Sequence, residues 1–306
     1  MSVLVISPGR DPEVWAKELR NQHPGLNVFV YPEEHDKEEV EFAVSWKHPR
    51  GIYKNYPNLK VIASMGAGVD HITSDPDIPE HIKITRVIDQ DLSTDMSAFV
   101  LGLILDQMRN LSLHHSSKKW EPKKYKRIRD VKVGILGMGV LGSAVAKTLQ
   151  LNGFEVSGWA NSAREHEEIK IYNGAAQMED LLKESSFLVN LLPLTPQTEN
   201  ILNKDLFQKL PKGAYVINVA RGEHLNEHDL LEMIDSGHLS GASLDVFRKV
   251  PLPEEHPFWA HPKIQITPHI ASVTNPGSVV PQIIKNYEHM TEDEELMNVV
   301  ERQKGY

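Results

Sequence analysis

The chain has 306 residues, 40% of them hydrophobic and 25% charged, which exceeds one ordinary core and excludes a disordered chain; two domains are the simplest expectation. A formal net charge of −9 argues against nucleic acid or an anionic membrane as a partner held by bulk electrostatics. With no cysteine there is no disulfide framework, thiolate nucleophile or cysteine metal cage, and Met1 to Ile6, followed at once by Ser7, Pro8 and Gly9, offers neither a membrane span nor a basic signal-peptide head, so a cytoplasmic protein is expected.

Taken in order, the first block carries short β-branched runs near 2–6, 27–31, 41–46 and 60–64, then the loop S-M-G-A-G-V-D at 64–70. Between them, Glu33 to Glu41 reads as a solvated acidic face. Residues 96–119 predict one long connecting helix around F-V-L-G-L-I-L, capped by Asp95, and the charged segment Glu121 to Asp130 predicts a surface arm. The second block repeats the strand rhythm: V-K-V-G-I-L at 131, F-E-V-S-G-W at 154, F-L-V-N-L-L at 187, Y-V-I-N-V at 215 and G-A-S-L-D-V-F from 241. Strands alternating with helical patterns indicate βαβ units and parallel sheets. From about Pro276 to Met290 the pattern is helical again, and the remaining residues are too few for a third domain. The expected organisation is therefore a discontinuous domain of residues 1–95 plus 277–306 and a second domain of residues 96–276.

The second block opens with G-x-G-x-x-G, formed by Gly137, Gly139 and Gly142 between an apolar strand and an alanine-rich helix. In that setting the glycines serve a tight turn, a close backbone approach to a pyrophosphate and close helix-to-strand packing, with the phosphates on the helix N-terminus. A dinucleotide site is expected. An NAD site usually places an acid at the end of the next strand to bind the ribose hydroxyls. Here that end reads G-W-A-N-S-A-R, and Asn161, Ser162 and Arg164 suit a 2′-phosphate, which favours NADP(H) over NAD(H).

One pattern points elsewhere. H-L-N-E-H at 224–228 matches H-x-x-E-H of inverted zinc peptidases, with His224 and His228 on one helix face at i, i+4. It directly follows N-V-A-R-G behind a Rossmann-type strand and has no evident third ligand, so capping and solvated-surface roles are expected and no metal is assigned.

Four motifs now stand in order: G-I-L-G-M-G-V-L-G, L-L-P-L-T-P-Q-T at 191–198, N-V-A-R-G at 218–222 and I-T-P-H-I-A at 266–271. With the loop S-M-G-A-G-V-D and the closing N-V-V-E-R-Q-K-G-Y, the chain closely resembles the D-2-hydroxyacid dehydrogenase family along essentially its whole length. W-K-H-P near 46 and the short spacing from L-D-V-F to I-T-P-H resemble its glyoxylate/hydroxypyruvate reductase A branch. The resemblance implies an α/β protein with a Rossmann-type nucleotide-binding domain inserted in a flavodoxin-like substrate-binding domain, an active site in the cleft between them, and a homodimer built through the nucleotide domain. It implies NADPH-dependent reduction of a small 2-oxoacid, glyoxylate or hydroxypyruvate.

Roles follow residue by residue. Arg221 would grip the substrate carboxylate and polarise the C2 carbonyl through a bidentate fork. His269 would give a proton to the carbonyl oxygen as hydride reaches C2. Backbone amides of Met65, Gly66, Ala67, Gly68 and Val69 would receive the carboxylate, and Trp46 would wall the pocket. The amides of Val140 and Leu141 would meet the pyrophosphate, Leu192, Pro193, Val219 and Ala220 would border the cofactor, and Asp245 would hold the nicotinamide carboxamide.

One position departs from the family pattern. The resemblance places a glutamate 29 residues after the arginine, in D-V-F-x-x-E-P-L-P, where it hydrogen-bonds the histidine and favours its protonated form; here that place is Val250. Without the carboxylate the imidazole titrates nearer its ordinary range, so a weakened, acid-shifted reductase is expected. Glu254 and Glu255, the next carboxylates, lie beyond two prolines. Two other readings stay open: a nucleotide-binding sensor or scaffold with little turnover, and a phosphoglycerate dehydrogenase-like enzyme. The latter lacks a clear basic set for a substrate phosphate.

Overall fold

The computed structural model describes residues 2–9, 11–162, 168–302, 304 and 305, with Ser116 by its backbone alone. The chain forms two compact units, Met1–Asp91 with Thr274–Tyr306, and Leu92–Val273.

The first unit carries β1 (Ser2–Ile6), β2 (Asn27–Val30), β3 (Val40–Ser45), β4 (Val61–Ser64) and β5 (Lys83–Thr85) in the order β2-β1-β3-β4-β5. All four pairings are parallel, and this is the flavodoxin-like order. S-V-L-V-I reads as an unbroken apolar run because β1 is central and covered on both faces. On one face Leu4, Ile6, Ala43 and Ile62 pack with Tyr53, Leu59 and Ile72. Phe42 turns the other way, edge-on to Tyr287 of the helix Pro276–Thr291 at 5.9 Å. The tail returns to the free edge: Arg86 N–H donates to Asn298 O at 3.1 Å and Val300 N–H to Ile84 O at 2.8 Å. An edge strand is thereby covered.

The second unit carries β6 (Lys132–Leu136), β7 (Glu155–Ala160), β8 (Lys170–Asn173), β9 (Phe187–Asn190), β10 (Ala214–Asn218), β11 (Leu239–Leu244) and β12 (Ile264–Ile266). Their order is β12-β11-β10-β9-β6-β7-β8, all parallel. The order reverses between β6 and β9, the switch point where such sheets bind ligands beyond the carboxyl ends of their strands. Period-two alternation divides the apolar residues between two cores. Val133, Ile135, Val189 and Ile217 pack with Met96, Val100, Ile104 and Met108, while Leu136, Leu188 and Val216 pack with Leu181 and Leu230.

The expected helix over 96–119 is corrected. It runs Gln90–Arg109 and breaks at Asn110, whose φ of 55° is left-handed, before a short second helix, Leu111–Ser116. Asp95 is an exposed helical residue and not the cap. D-Q-D-L-S-T-D offers several capping residue types in succession, and burial at 92, 93, 96, 97, 100, 104 and 108 shows the helical period already running at Leu92.

Asn286 ties the last helix to the tail. Its side chain is buried, accepting from Met297 N–H at 2.7 Å and donating to Met297 O at 3.1 Å. Asn286→Ala strips the partner from both the N–H and the C=O of Met297 and is expected to cost about 1–3 kcal/mol. A lower thermal midpoint in calorimetry is the expected result; an unchanged one would show that water replaces the amide at no cost.

Candidate active site

The three glycines after β6 have distinct surroundings. Gly137 has φ of 99°, and a Cβ there would lie 2.6 Å from Leu191 O. At Gly142 a Cβ would lie 1.9 Å from Gly137 O, so the helix Val140–Leu151 sits against the turn as only glycine allows. At Gly139 a Cβ would meet nothing within 4 Å. Two glycines are thus required by the fold, while the third opens space over the first turn of a twelve-residue helix, where the amides of Val140 and Leu141 have no intrahelical partner. This cradle fits a pyrophosphate. Beyond β7, Asn161 and Ser162 are exposed and no acid ends the strand. Arg164, assigned with them to a 2′-phosphate, lies outside the described residues.

Across the switch point, a buried polar network joins the ends of β9 and β10. Asn190 Nδ2 donates to Asn218 Oδ1 at 3.0 Å and to His224 Nδ1 at 2.9 Å. Asn190 Oδ1 accepts from Leu192 N–H at 3.3 Å, and His224 Nε2 lies 3.3 Å from Pro193 O. Asn218 accepts from Ala220 N–H at 3.3 Å and donates to Arg221 O at 2.9 Å. Leu192, Pro193, Val219, Ala220 and Arg221 are therefore held by one set of contacts. Arg221 is half-buried, and its Nη1 donates to Ala220 O at 2.7 Å, which keeps the guanidinium close to the turn. Sequence reasoning missed Asn190, Asn218 and His224 as the frame of this turn. The signal was an asparagine at the end of each of two otherwise apolar strands.

The same network corrects the zinc-like pattern. His224 is fully buried in the short turn Gly222–His224, both of its ring nitrogens meet polar groups, and the helix begins only at Glu227, so His224 and His228 do not share a helix face. Among the described residues His228, Asp229 and Glu232 do gather three possible ligands, but Asp229 Oδ2 accepts from Lys204 N–H at 2.9 Å and Glu232 pairs with the Lys204 ammonium. These contacts are those of a helix surface.

Beyond β11, Asp245 is almost wholly buried. Its Oδ1 accepts from Thr267 Oγ1 at 2.6 Å and Ile270 N–H at 2.9 Å, and its Oδ2 accepts from Ala271 N–H at 2.9 Å. These contacts clamp the loop after β12 on both sides of His269. That histidine is exposed and has φ of 58°, a conformation that costs a non-glycine residue about 1–3 kcal/mol and persists only where its surroundings impose it. The Asp245 carboxylate is thus first a loop support. Of its roughly four acceptor sites it retains one, on Oδ2, for a ligand N–H. Val250 is 61% exposed, and Glu254 and Glu255 are exposed in the turn that follows.

In the first unit the loop after β4 is organised by Ser64, whose hydroxyl accepts from Gly66 N–H at 3.2 Å and donates to Gly68 O at 2.9 Å. Met65 N–H donates to Ser45 O at 3.0 Å. The expectation that all five amides from Met65 to Val69 receive a carboxylate is therefore narrowed to Ala67, Gly68 and Val69. Gly66 also leaves room for Trp46: a Cβ there would lie 3.1 Å from its ring, a tight contact. Trp46 is half-buried, with its ring 4.5 Å from that of His71.

Two parallel sheets, one with a glycine cradle at its switch point and an arginine and a histidine beyond the two strands that flank β11, define a protein of the dinucleotide-binding α/β class. The sequence profile of the D-isomer specific 2-hydroxyacid dehydrogenase, NAD binding domain, matches residues 101–271. The chain belongs to that family. It is 35% identical over 314 residues to glyoxylate/hydroxypyruvate reductase A of Photorhabdus laumondii, covering all of both chains. A D-isomer specific 2-hydroxyacid dehydrogenase from Xanthobacter autotrophicus Py2, solved with NADPH and MES, is 34% identical with a TM-score of 0.94, over 100% of this chain and 99% of that one. An NADPH-dependent glyoxylate/hydroxypyruvate reductase from Sinorhizobium meliloti, solved with NADP and sulfate, is 35% identical with a TM-score of 0.93, over 100% of each chain.

The glycine cradle makes a separable prediction. Gly139→Ala adds a methyl to open space, so the unliganded protein is expected to keep its melting temperature while NADPH affinity falls about tenfold or more. Gly142→Ala drives a methyl into Gly137 O and is expected to lower the melting temperature itself. Calorimetry alongside NADPH fluorescence titration separates the two; equal affinity in Gly139→Ala and wild type would remove the pyrophosphate from this cradle.

Proposed function

We propose that this protein is an NADPH-dependent reductase that converts a small 2-oxoacid, glyoxylate or hydroxypyruvate, to the 2-hydroxyacid. The observation that carries this reading is the gathering of Arg221, Asp245 and His269 at the carboxyl ends of three neighbouring strands, β10, β11 and β12, on the sheet that holds the glycine cradle. Relatives of about one-third identity named as glyoxylate/hydroxypyruvate reductases support the substrate class, and those solved with NADPH or NADP support the cofactor.

In this reading the Val140 and Leu141 amides hold the pyrophosphate, Asn161, Ser162 and Arg164 hold the 2′-phosphate, and Leu192, Pro193, Val219 and Ala220 border the nicotinamide half. Bound NADPH supplies the hydride that C2 of the 2-oxoacid receives. Arg221 holds the substrate carboxylate and carbonyl by paired N–H groups, which fixes the C2 face and draws charge toward the oxygen. His269 delivers a proton to that oxygen, so the carbonyl gains hydride at carbon and a proton at oxygen. The amides of Ala67, Gly68 and Val69 meet the carboxylate, and Trp46 walls the pocket. Asp245 keeps the His269 loop in place and leaves one acceptor site for the carboxamide.

The same reading takes the protein as a cytoplasmic homodimer. After the helix Gln90–Arg109, Leu111, Leu113, Trp120 and Tyr125 are exposed, and these are apolar groups that a second copy would cover. Among the described residues no helix is long and apolar enough to cross a membrane.

The test is NADPH oxidation with glyoxylate and with hydroxypyruvate from about pH 5 to 8, in the wild type and in Val250→Glu. A glutamate beside the imidazole raises its pKa and extends the protonated fraction to higher pH. The wild type is therefore expected to work best on the acid side, and Val250→Glu to move the optimum upward with a gain of a few-fold to about tenfold at neutral pH. NADPH binding without turnover in either protein would make the chain a nucleotide sensor or scaffold. Faster turnover of 3-phosphohydroxypyruvate than of glyoxylate would move it to the phosphoglycerate dehydrogenase-like reading.

A further inference from the structure

Behind Trp46 runs a chain of buried polar groups that the reaction does not use. Ser45 ends β3, and His48 and Asp75 are as enclosed as the core around them. His48 Nε2 lies 3.1 Å from Asp75 Oδ2, and its Nδ1 lies 3.2 Å from Ser45 Oγ. Tyr53, fully buried, sets its ring 4.6 Å from that of His48. Asp75 also accepts from Gly51 N–H at 2.8 Å and Asp77 N–H at 3.0 Å.

The chemistry of these partners fixes their proton positions. Burial lowers the His48 pKa against the opposing pull of Asp75, so the ring is neutral. Burial works to raise the Asp75 pKa, but the amides of Gly51 and Asp77 and the His48 ring outweigh it and hold the carboxyl below its ordinary range. A carboxylate only accepts, so Nε2 carries the proton and Nδ1 accepts from the Ser45 hydroxyl. Ser45, His48 and Asp75 then each have a partner of the right polarity, which is what keeps such a network at one geometry, while the buried Tyr53 hydroxyl has no hydrogen-bond partner among the described residues and contributes through its ring.

That geometry ties the turn 46–51 to Asp75 at two points, the His48 ring and the Gly51 amide. Within the turn Lys47 has φ of 49° and Gly51 φ of 74°, so the path is one the chain does not take unaided. The other anchor, Asp75, belongs to the segment that also supplies His71, against whose ring Trp46 packs. His71 Nε2 reaches back to Ser45 O at 3.4 Å. Trp46 is therefore fixed between two parts of one polar clamp, with Gly66 at its edge.

We infer that the buried His48–Asp75 pair positions Trp46 against the 66–69 loop and thereby sets which 2-oxoacid side chain the enzyme accepts. His48 and Asp75 are positioning residues here; they act through Trp46 and touch no substrate. The inference rests on the proposed roles of Trp46 and the 67–69 amides. The larger substrate carries a hydroxymethyl group where glyoxylate has hydrogen, so a displaced indole changes the discrimination between the two more than it changes the chemical step.

The test uses the full chain with His48→Leu, which cannot donate to Asp75, and His48→Gln, whose amide N–H can. Asp75→Asn serves as a second break, and Trp46→Phe is made alone and combined with His48→Leu. Expected for His48→Leu and Asp75→Asn are an unchanged NADPH dissociation constant, kcat within about threefold, KM raised about tenfold, and a hydroxypyruvate-to-glyoxylate preference shifted at least about threefold, with His48→Gln restoring much of the loss. In the Trp46→Phe background His48→Leu is expected to add nothing further. Additive effects, or an unmoved preference, would overturn the inference.

A readout independent of turnover keeps it distinct from the proposed activity. With 5-fluorotryptophan at the five tryptophans, the Trp46 resonance, assigned by its loss in Trp46→Phe, is expected to shift or broaden in His48→Leu and to recover in His48→Gln. A wild type that reduces neither acid would defeat the reductase reading. A Trp46 resonance indifferent to His48→Leu and Asp75→Asn would defeat the positioning role whatever the enzyme does.

Discussion

The functional edge of the second unit depends on the side chain of Asn218. At the end of a fully buried parallel strand the backbone must turn, and the polar groups of that turn have no further strand to pair with. Asn218 answers this from inside: its amide N–H caps Arg221 O, its oxygen takes Ala220 N–H, and its backbone carbonyl accepts from Asp245 N–H at 3.0 Å. Through Asn190 and His224 the same network reaches the turn after β9. The arginine, the two apolar residues before it and the Leu192–Pro193 turn are thus one rigid assembly, built on side chains that are wholly buried.

Much of this was legible in the sequence. Long apolar runs declared the central strands, since β1, β9 and β10 are buried on both faces and leave little room for polar interruption. The glycine cradle was legible because its three positions answer three separate steric demands, and only glycine meets two of them. What escaped was short or ambiguous. β5 and β8, of three and four residues, lie at the edges of their sheets, where few side chains need to be apolar and no pattern has length to emerge. The start of the helix at Gln90 was masked by a run in which Asp, Ser and Thr offer several caps in succession.

The site shows a second kind of illegibility. A one-dimensional reading assigns a loop residue its family role but not the contacts that already occupy it. Met65 and Gly66 stand in a plausible anion-binding loop, yet their amides are held within the chain, and Trp46 comes close to the face of Gly66. His224 stands in a zinc-like pattern and reads from sequence as a capping or solvated residue; its burial between Asn190 and Pro193 O makes it a bracket. In each case burial and partners decide between uses that composition leaves equal.

The same distinction bears on Val250. A carboxylate beside a catalytic imidazole does two separate things: it holds the ring in place and it stabilises the ring's charge. In this protein the first task is shared by the backbone, because Asp245 grips the chain at Thr267, Ile270 and Ala271 and imposes the left-handed conformation at His269. That grip fixes where the Cα–Cβ bond points, leaving only the ring torsions to be set. Asp245 does not take on the second task, for its charge faces three N–H or O–H donors on the loop and is largely answered by them. On the proposed role of His269 as the acid, valine at 250 leaves the backbone placement of that residue intact and withholds only the carboxylate that the family pattern puts there. Restoring a single carboxylate at that position therefore tests the contribution of its charge separately from the placement of the loop.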